Sequence, residues 1–307
     1  MVFVINLSDN QGDFFMKDYV ILTDSCSDLG KDIRESLGID YVQMNIVYDG
    51  KELPASLDWD LYTPQKLYNL MRNGTRVTTN QVPVQTFTTV FTKYLEEGKD
   101  IVYIGCSSAL SGSVNTGKVV ADELAEKYPE NSIYVIDSLN SCLGEGLMTI
   151  DAAKMKKEGK SAAEVAAYIE ANKLKYLQFA AVDDLTYLKR AGRVKASSAF
   201  FGNLFGVKPI IISNRIGENL AVKKVKGRKN SLDELVNMVK SSIVDPQTQT
   251  VAVVHADCEK DAEYLKNKIE SEIGVKEVYV NYIGPIIGTS TGPGTVGVYC
   301  VGNEVEV

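Results

Sequence analysis

The sequence predicts an α/β protein made of two α/β domains, the first built on a largely parallel sheet. Three observations lead there. Short β-rich runs alternate with amphipathic helical patterns along the whole chain, the signature of strand–helix layering. Several of those runs are continuously apolar rather than alternating, as strands buried on both faces read. The length of 307 residues suits about two domains.

Taken in order, the expected strands are 19–23, 41–48, 101–105, 133–137, 177–182, 208–213, 251–256 and 278–283, with a last one at 298–301. Between them, Ala162, Val165, Ala166 and Ile169 keep the i, i+3, i+4, i+7 spacing of a helix face. Leu232, Leu235, Val236 and Val239 do the same behind Ser231 as N-cap, and Ala262, Leu265, Ile269 and Ile273 form a third apolar stripe. Asn172-Lys-Leu-Lys175 leads from a helix into a new strand and sets the expected division into domains of 16–174 and 175–307. Residues 1–15 are patternless and polar apart from a short apolar start, while Met16-Lys17 precedes a good strand, so 1–15 is read as a leader outside the fold.

Composition narrows the function. An apolar fraction of 45% with 24% charged residues is that of a globular chain, not of a disordered, collagen-like or disulfide-stapled one. The 33 basic and 40 acidic residues leave a net charge of −7, and no basic block exists to neutralise a nucleic-acid backbone. The cysteines Cys26, Cys106, Cys142, Cys258 and Cys300 are odd in number and widely spaced, which fits reduced thiols in a cytoplasm and no metal site. No apolar run approaches the roughly 18 residues of a membrane span.

In open α/β sheets ligands sit beyond the carboxyl ends of strands. Four loops there are rich in hydroxyls: Thr23–Leu29, Cys106–Ser113, Asp137-Ser138 and Gly284–Thr295. Hydroxyls with helix-start N–H groups suit a small anion, although single Ser and Thr residues at such places also serve as caps and turns. Three motif matches fail on their chemistry. Gly112–Val119 reads G-x-x-x-x-G-K-V, with an aliphatic side chain where a phosphate loop needs a hydroxyl. Gly292–Gly297 fits G-x-G-x-x-G but too little chain follows for a dinucleotide fold. Gly288–Gly292 fits the nucleophile elbow around Ser290, yet the one histidine, His255, precedes it and Pro293-Gly294 follows. Asp24, Asp28, Asp183 and Asp184 lie near strand ends without metal-ligand spacing and read as caps or ion-pair partners. A serine hydrolase on Ser290 and a phosphotransferase using the Gly112–Lys118 loop stay as the alternative reading of the same cleft.

Five ordered segments resemble the DegV family of bacterial fatty-acid-binding proteins: Thr23–Leu29, Thr79-Asn80-Gln81, Ser107–Gly112, Leu185–Arg193 with Lys208-Pro209-Ile210, and Ile283–Thr295. The resemblance implies two α/β domains holding a long-chain fatty acid such as palmitate, stearate or oleate between them, with no other cofactor. It implies a carrier, not an enzyme, that presents the carboxyl group to a separate fatty acid kinase for acyl-phosphate formation in phospholipid synthesis, with room for transient membrane contact. It assigns the carboxylate to Thr79, Ser107 and Ser108, with Ser290 and Thr291 in the last loop, and partner docking to Arg193. The apolar stretch 199–207, with Phe200, Phe201, Leu204 and Phe205, is a candidate tail wall, or else ordinary core or a seam between domains. Two departures stand out. Asn80-Gln81-Val82 replaces the family's Ser-Gln-Pro, and Ser290 replaces a histidine. Serine donates a hydrogen bond but carries no charge, so head-group binding is expected to depend little on pH.

Overall fold

The computed structural model describes residues 17–197, 200 and 206–307. The expected leader 1–15 and Phe201, Leu204 and Phe205 of the expected tail wall lie outside the described residues. The first half of the chain runs β1 (Tyr19–Asp24), α1 (Lys31–Leu37), β2 (Ile39–Val42), β3 (Asn45–Tyr48), β4 (Lys51–Pro54), α2 (Pro64–Arg72), β5 (Thr78–Asn80), α3 (Val84–Glu96), β6 (Asp100–Gly105), α4 (Ser113–Lys127), β7 (Ile133–Asp137), α5 (Leu143–Lys157) and α6 (Ala162–Asn172). The second half runs β8 (Tyr176–Ala181), α7 (Leu185–Ala191), β9 (Val207–Ser213), β10 (Asn219–Lys226), α8 (Arg228–Ser242), β11 (Thr250–His255), α9 (Glu259–Glu272), β12 (Glu277–Tyr282), α10 (Pro285–Thr291) and β13 (Val296–Val301).

The first sheet has the order β2-β1-β6-β7 and every pair in it is parallel, as expected. Helices α3 and α4 pack on each other and on this sheet, and so do α5 and α6. Local chemistry starts and stops these helices. Thr63 caps α2 with Pro64 as its first residue. Ser161 and Glu164 close a capping box on α6.

The expected strand 41–48 is in fact two strands in two sheets. Asp49 and Gly50 both have positive φ, the geometry of a tight two-residue hairpin turn. That turn folds β3 back onto β4, and β5 pairs on its other edge, giving a small antiparallel sheet β4-β3-β5. This sheet carries Thr78–Asn80 to the cleft.

The second sheet, β10-β9-β8-β13-β11-β12, is mixed, and only β11 and β12 run parallel. Its apolar runs are continuous because both faces are covered, not because neighbouring strands are parallel. Leu177, Phe179 and Ala181 of β8 and Val296, Val298 and Cys300 of β13 join a core with α8 and α9. The alternate residues Ala180, Gly297 and Tyr299 face the other way, toward the first half of the molecule. Helix α5 touches β1 and β6 of the first sheet and β8 and β13 of the second. The expected division at 174/175 falls on the passage from α6 to β8. Among the described residues no helix is long and apolar enough to cross a membrane.

Candidate functional site

A cavity of about 360 Å³ lies between the two sheets, within the roughly 300–1,000 Å³ of small-molecule sites. Most of its wall is apolar. The inward-facing residues of the second sheet, Ala180, Ile211 and Tyr299, form one side, with Val182 just past β8. Leu188 of α7, Ile286 and Ile287 of α10, and Met44 and Cys26 of the first half complete it. Helix α10 is where sequence reading expected only a loop. Pro285 starts it at its first position, and it is seven residues long.

Three chain segments bring polar groups to one part of the wall, and Ser141, Gln178, Asn219 and Thr295 add others elsewhere on it. Thr79, Asn80 and Gln81 arrive on β5, Ser111 and Gly112 lead into α4, and Ser290 and Thr291 end α10. Direct bonds hold these segments together. Gln81 Nε2 donates to Thr116 Oγ1 at 2.8 Å, and the Val82 N–H donates to Ser113 Oγ at 3.1 Å. Gly112 lets the Gln81 amide approach closely, since a Cβ at this position would displace it. Ser111 Oγ accepts from the Ser113 N–H at 3.2 Å, so the start of the 15-residue α4 opens onto the cavity wall. Helix N-termini favour anions. One cation joins them: Arg193 lines the cavity and donates from Nε to the Leu110 carbonyl at 3.2 Å.

The site residues expected from sequence thus part company. Thr79, Ser290, Thr291 and Arg193 all line the cavity. The Thr291 hydroxyl donates to Ile287 O at 2.9 Å, within its own helix. Ser107 and Ser108 do not line it. Ser107 is fully buried, and its hydroxyl donates to Gly217 O at 2.8 Å in the β9–β10 hairpin. Ser108 is exposed, and its N–H donates to Asp137. The reason is a tight turn. The N–H groups of Leu110 and Ser111 both bond to Ser107 O, which turns Ser107 outward to the hairpin and delivers Ser111 to the cavity. From the segment that sequence reading singled out, Ser111 and Gly112 line the cavity, and Gln81 and Arg193 join them on the wall. Phe200 packs with Val182, Leu185, Leu188 and Ile211 and is not a cavity wall residue.

The rejected motifs find structural duties. Gly117 packs against Phe87 and Tyr103, while Lys118 and Val119 are exposed on α4. A side chain at Gly292, where φ is +85°, would overlap the Tyr187 ring. His255 is 3% exposed, packs at a tilt against the Tyr282 ring and accepts the Cys258 N–H at Nδ1 (3.3 Å). Burial lowers its pKa, and it does not line the cavity that holds Ser290. Burial pushes the Cys258 and Cys300 thiols up to about 12, which makes them poor nucleophiles. Asp24 accepts from the N–H groups of Cys26 (2.8 Å) and Cys106 (3.0 Å) and from Tyr103 (2.9 Å), tying two strand-end loops together. Asp184 caps α7 and Asp183 pairs with Lys208. Asp28, deep behind the cleft, is pushed up to about 8 by burial. Among the described residues no three His, Cys, Asp or Glu side chains are placed to hold a metal ion.

Comparison with known proteins adds four findings. A family model described as "Uncharacterised protein, DegV family" matches residues 18–303. A DegV domain-containing protein of Clostridium perfringens is 40% identical over 291 residues, covering 95% of this chain and 100% of its own length. Among solved structures, a DegV family protein from Thermus thermophilus, described by its fatty acid binding, superposes with a TM-score of 0.84 at 28% identity, over 94% of this chain and all of its own. A DegV lipid binding protein from Thermotoga maritima gives a TM-score of 0.82 at 26% identity, again over 94% of this chain and all of its own.

Proposed function

The chain belongs to the DegV family, and from that premise we propose that it holds one long-chain fatty acid in the cavity between its sheets. The carboxylate sits among Thr79, Ser111, the Gly112 end of α4, Ser290 and Arg193. The tail runs along Ala180, Val182, Ile211, Leu188 and Ile286. The observation that carries this reading is a cavity between the sheets with a largely apolar wall, to which Thr79, Ser111, the start of α4, Ser290 and Arg193 are brought together, Gln178 and Asn219 adding polar groups on the second sheet. A carboxylate removed from water must be paired or hydrogen-bonded, and the place where the first five meet offers hydroxyls, helix N–H groups and one guanidinium. About fourteen buried methylenes at ~0.8 kcal/mol each give on the order of 11 kcal/mol gross, before ordering costs. The tail therefore supplies most of the affinity and the polar end sets its direction.

In the same reading the chain is a cytoplasmic carrier and not itself an enzyme. It presents the carboxylate to a separate fatty acid kinase, with Arg193 at the docking face. The family resemblance of the Leu185–Arg193 segment supports this step, and the position of Arg193, exposed and yet on the cavity wall, agrees with it.

Denaturing extraction of the purified protein, followed by mass spectrometry, is expected to release a long-chain fatty acid at about one per chain. An empty extract, together with no binding of added palmitate or oleate, would overturn the proposal. The kinase step is tested by trapping acyl phosphate with hydroxylamine when ATP, a fatty acid kinase and the loaded protein are combined. Equal trapping without this protein would remove the carrier role.

A further inference from the structure

Strand β8 puts one amide into a largely apolar wall. Gln178 faces the cavity with Ala180, two residues along the same face of the strand. It is 5% exposed, and an amide taken out of water is costly unless it is hydrogen-bonded. Its two ends are treated differently. Nε2 donates to Asn219 Oδ1 at 2.8 Å, while Oε1 is buried and has no partner. Among the described residues that line the cavity, Gln178 is the one with a buried polar atom left in that state.

A relay holds the amide in this sense. Asn219 Nδ2 donates to the Arg193 carbonyl at 3.2 Å, and a carbonyl only accepts. Asn219 therefore keeps its nitrogen toward Arg193 and its oxygen toward Gln178. That oxygen needs a donor in turn, which fixes Gln178 Nε2 on it and leaves Oε1 over. Turning the Gln178 amide would set two oxygens against each other. Tyr299, opposite Gln178 on β13, does not serve Oε1, because its hydroxyl is hydrogen-bonded to the Cys142 thiol. A fatty-acid carboxylate offers acceptors alone, and a plain hydrocarbon tail has no O–H or N–H. What Oε1 lacks is a donor, and in a cavity filled by an acyl chain that donor belongs on the chain. We propose that Gln178 selects a hydroxylated long-chain fatty acid, whose alcohol O–H donates to Oε1 and completes the relay. This rests on the acyl reading above and narrows its ligand from fatty acids at large to those bearing a hydroxyl.

The test is a calorimetric titration with stearate, with stearate bearing a hydroxyl at carbon 3, 10 or 12, and with the matching oxo acids. Wild type is expected to bind one of the hydroxy acids at least about tenfold tighter than stearate. The oxo counterpart of that acid has an acceptor where the alcohol has a donor, and it should gain nothing over stearate. Gln178→Met, an unbranched apolar side chain of similar length, should abolish the preference and keep stearate affinity within about threefold. Should that variant fail to fold, Asn219→Ala decides. It frees the amide to present either end, so the gap between hydroxy and oxo acid should shrink to less than about threefold, and an unchanged gap would count against the relay. If stearate binds wild type and no hydroxy acid binds more tightly than both stearate and its own oxo counterpart, the inference is overturned while the acyl reading stands. A preference that survives Gln178→Met unchanged overturns it as well. If neither stearate nor any hydroxy acid binds, the acyl reading itself falls and takes this inference with it.

Discussion

The two ends of the cavity between the sheets are built by different means. The mostly apolar end is made by strands, where every second residue of β8 and β13 faces inward (Gln178 being the polar exception) while its neighbours pack under α8 and α9. Its shape follows from the pleat and from two covered faces. The polar end is made by chain segments that a few hydrogen bonds bring together: Gln81 to Thr116, Val82 to Ser113 and Arg193 to Leu110. The first end is a volume and the second is a set of directions. On the proposed reading, the difference separates how tightly a fatty acid is held from which way round it is held.

That comparison can be tested from both sides. The largest effect is expected at the apolar end. Ala180→Phe, which fills the cavity from β8, should lower palmitate affinity at least about 100-fold, or roughly 3 kcal/mol, in a titration. A loss below about threefold would mean that the tail lies elsewhere. Next comes the polar end, where Thr79→Ala combined with Ser111→Ala removes hydroxyls from a charged group. Affinity should fall by about 1.5–3 kcal/mol, with a tail-length preference that stays as in wild type.

A third test asks whether pH acts through the fold or through the head group. Burial raises Asp28 to about 8 from its ordinary 3.8. Its neutral form is therefore the one the fold favours. That contribution is full below about pH 4 and is lost as pH rises through 8. Asp28→Asn keeps a neutral side chain, and asparagine tolerates the positive φ of 51° at this position. Relative to wild type the variant should gain on the order of 1–3 kcal/mol at pH 8 and much less at pH 5, read from denaturant midpoints. Palmitate affinity should meanwhile stay flat between pH 6 and 8, since Ser290 carries no titrating charge. The smallest effect is expected from Ser107→Ala with Ser108→Ala, which should change affinity by less than about twofold because neither residue lines the cavity.

The contrast also explains what could be read from sequence. The parallel first sheet was legible because β1, β6 and β7 are short apolar runs separated by helix patterns. The mixed second sheet was not, since residues 177–182 and 251–256 are buried on both faces whatever the direction of their neighbours. The hydroxyl-rich loops were legible as a place where an anion could bind. Which serine faces in was not, because that is settled by one turn, closed by Leu110 and Ser111 on Ser107 O. Arg193 could be found as a residue of a family segment. Its place on the wall depends on a carbonyl 83 positions away, and no local pattern reports that.

The most direct measurement is a crystal structure of the protein loaded with stearate. The account expects the carboxylate within hydrogen-bonding distance of Thr79 and Ser111, and the tail between the sheets against Ala180 and Ile211. A carboxylate found at Ser107 and Ser108, or a stearate lying outside this cavity, would contradict it.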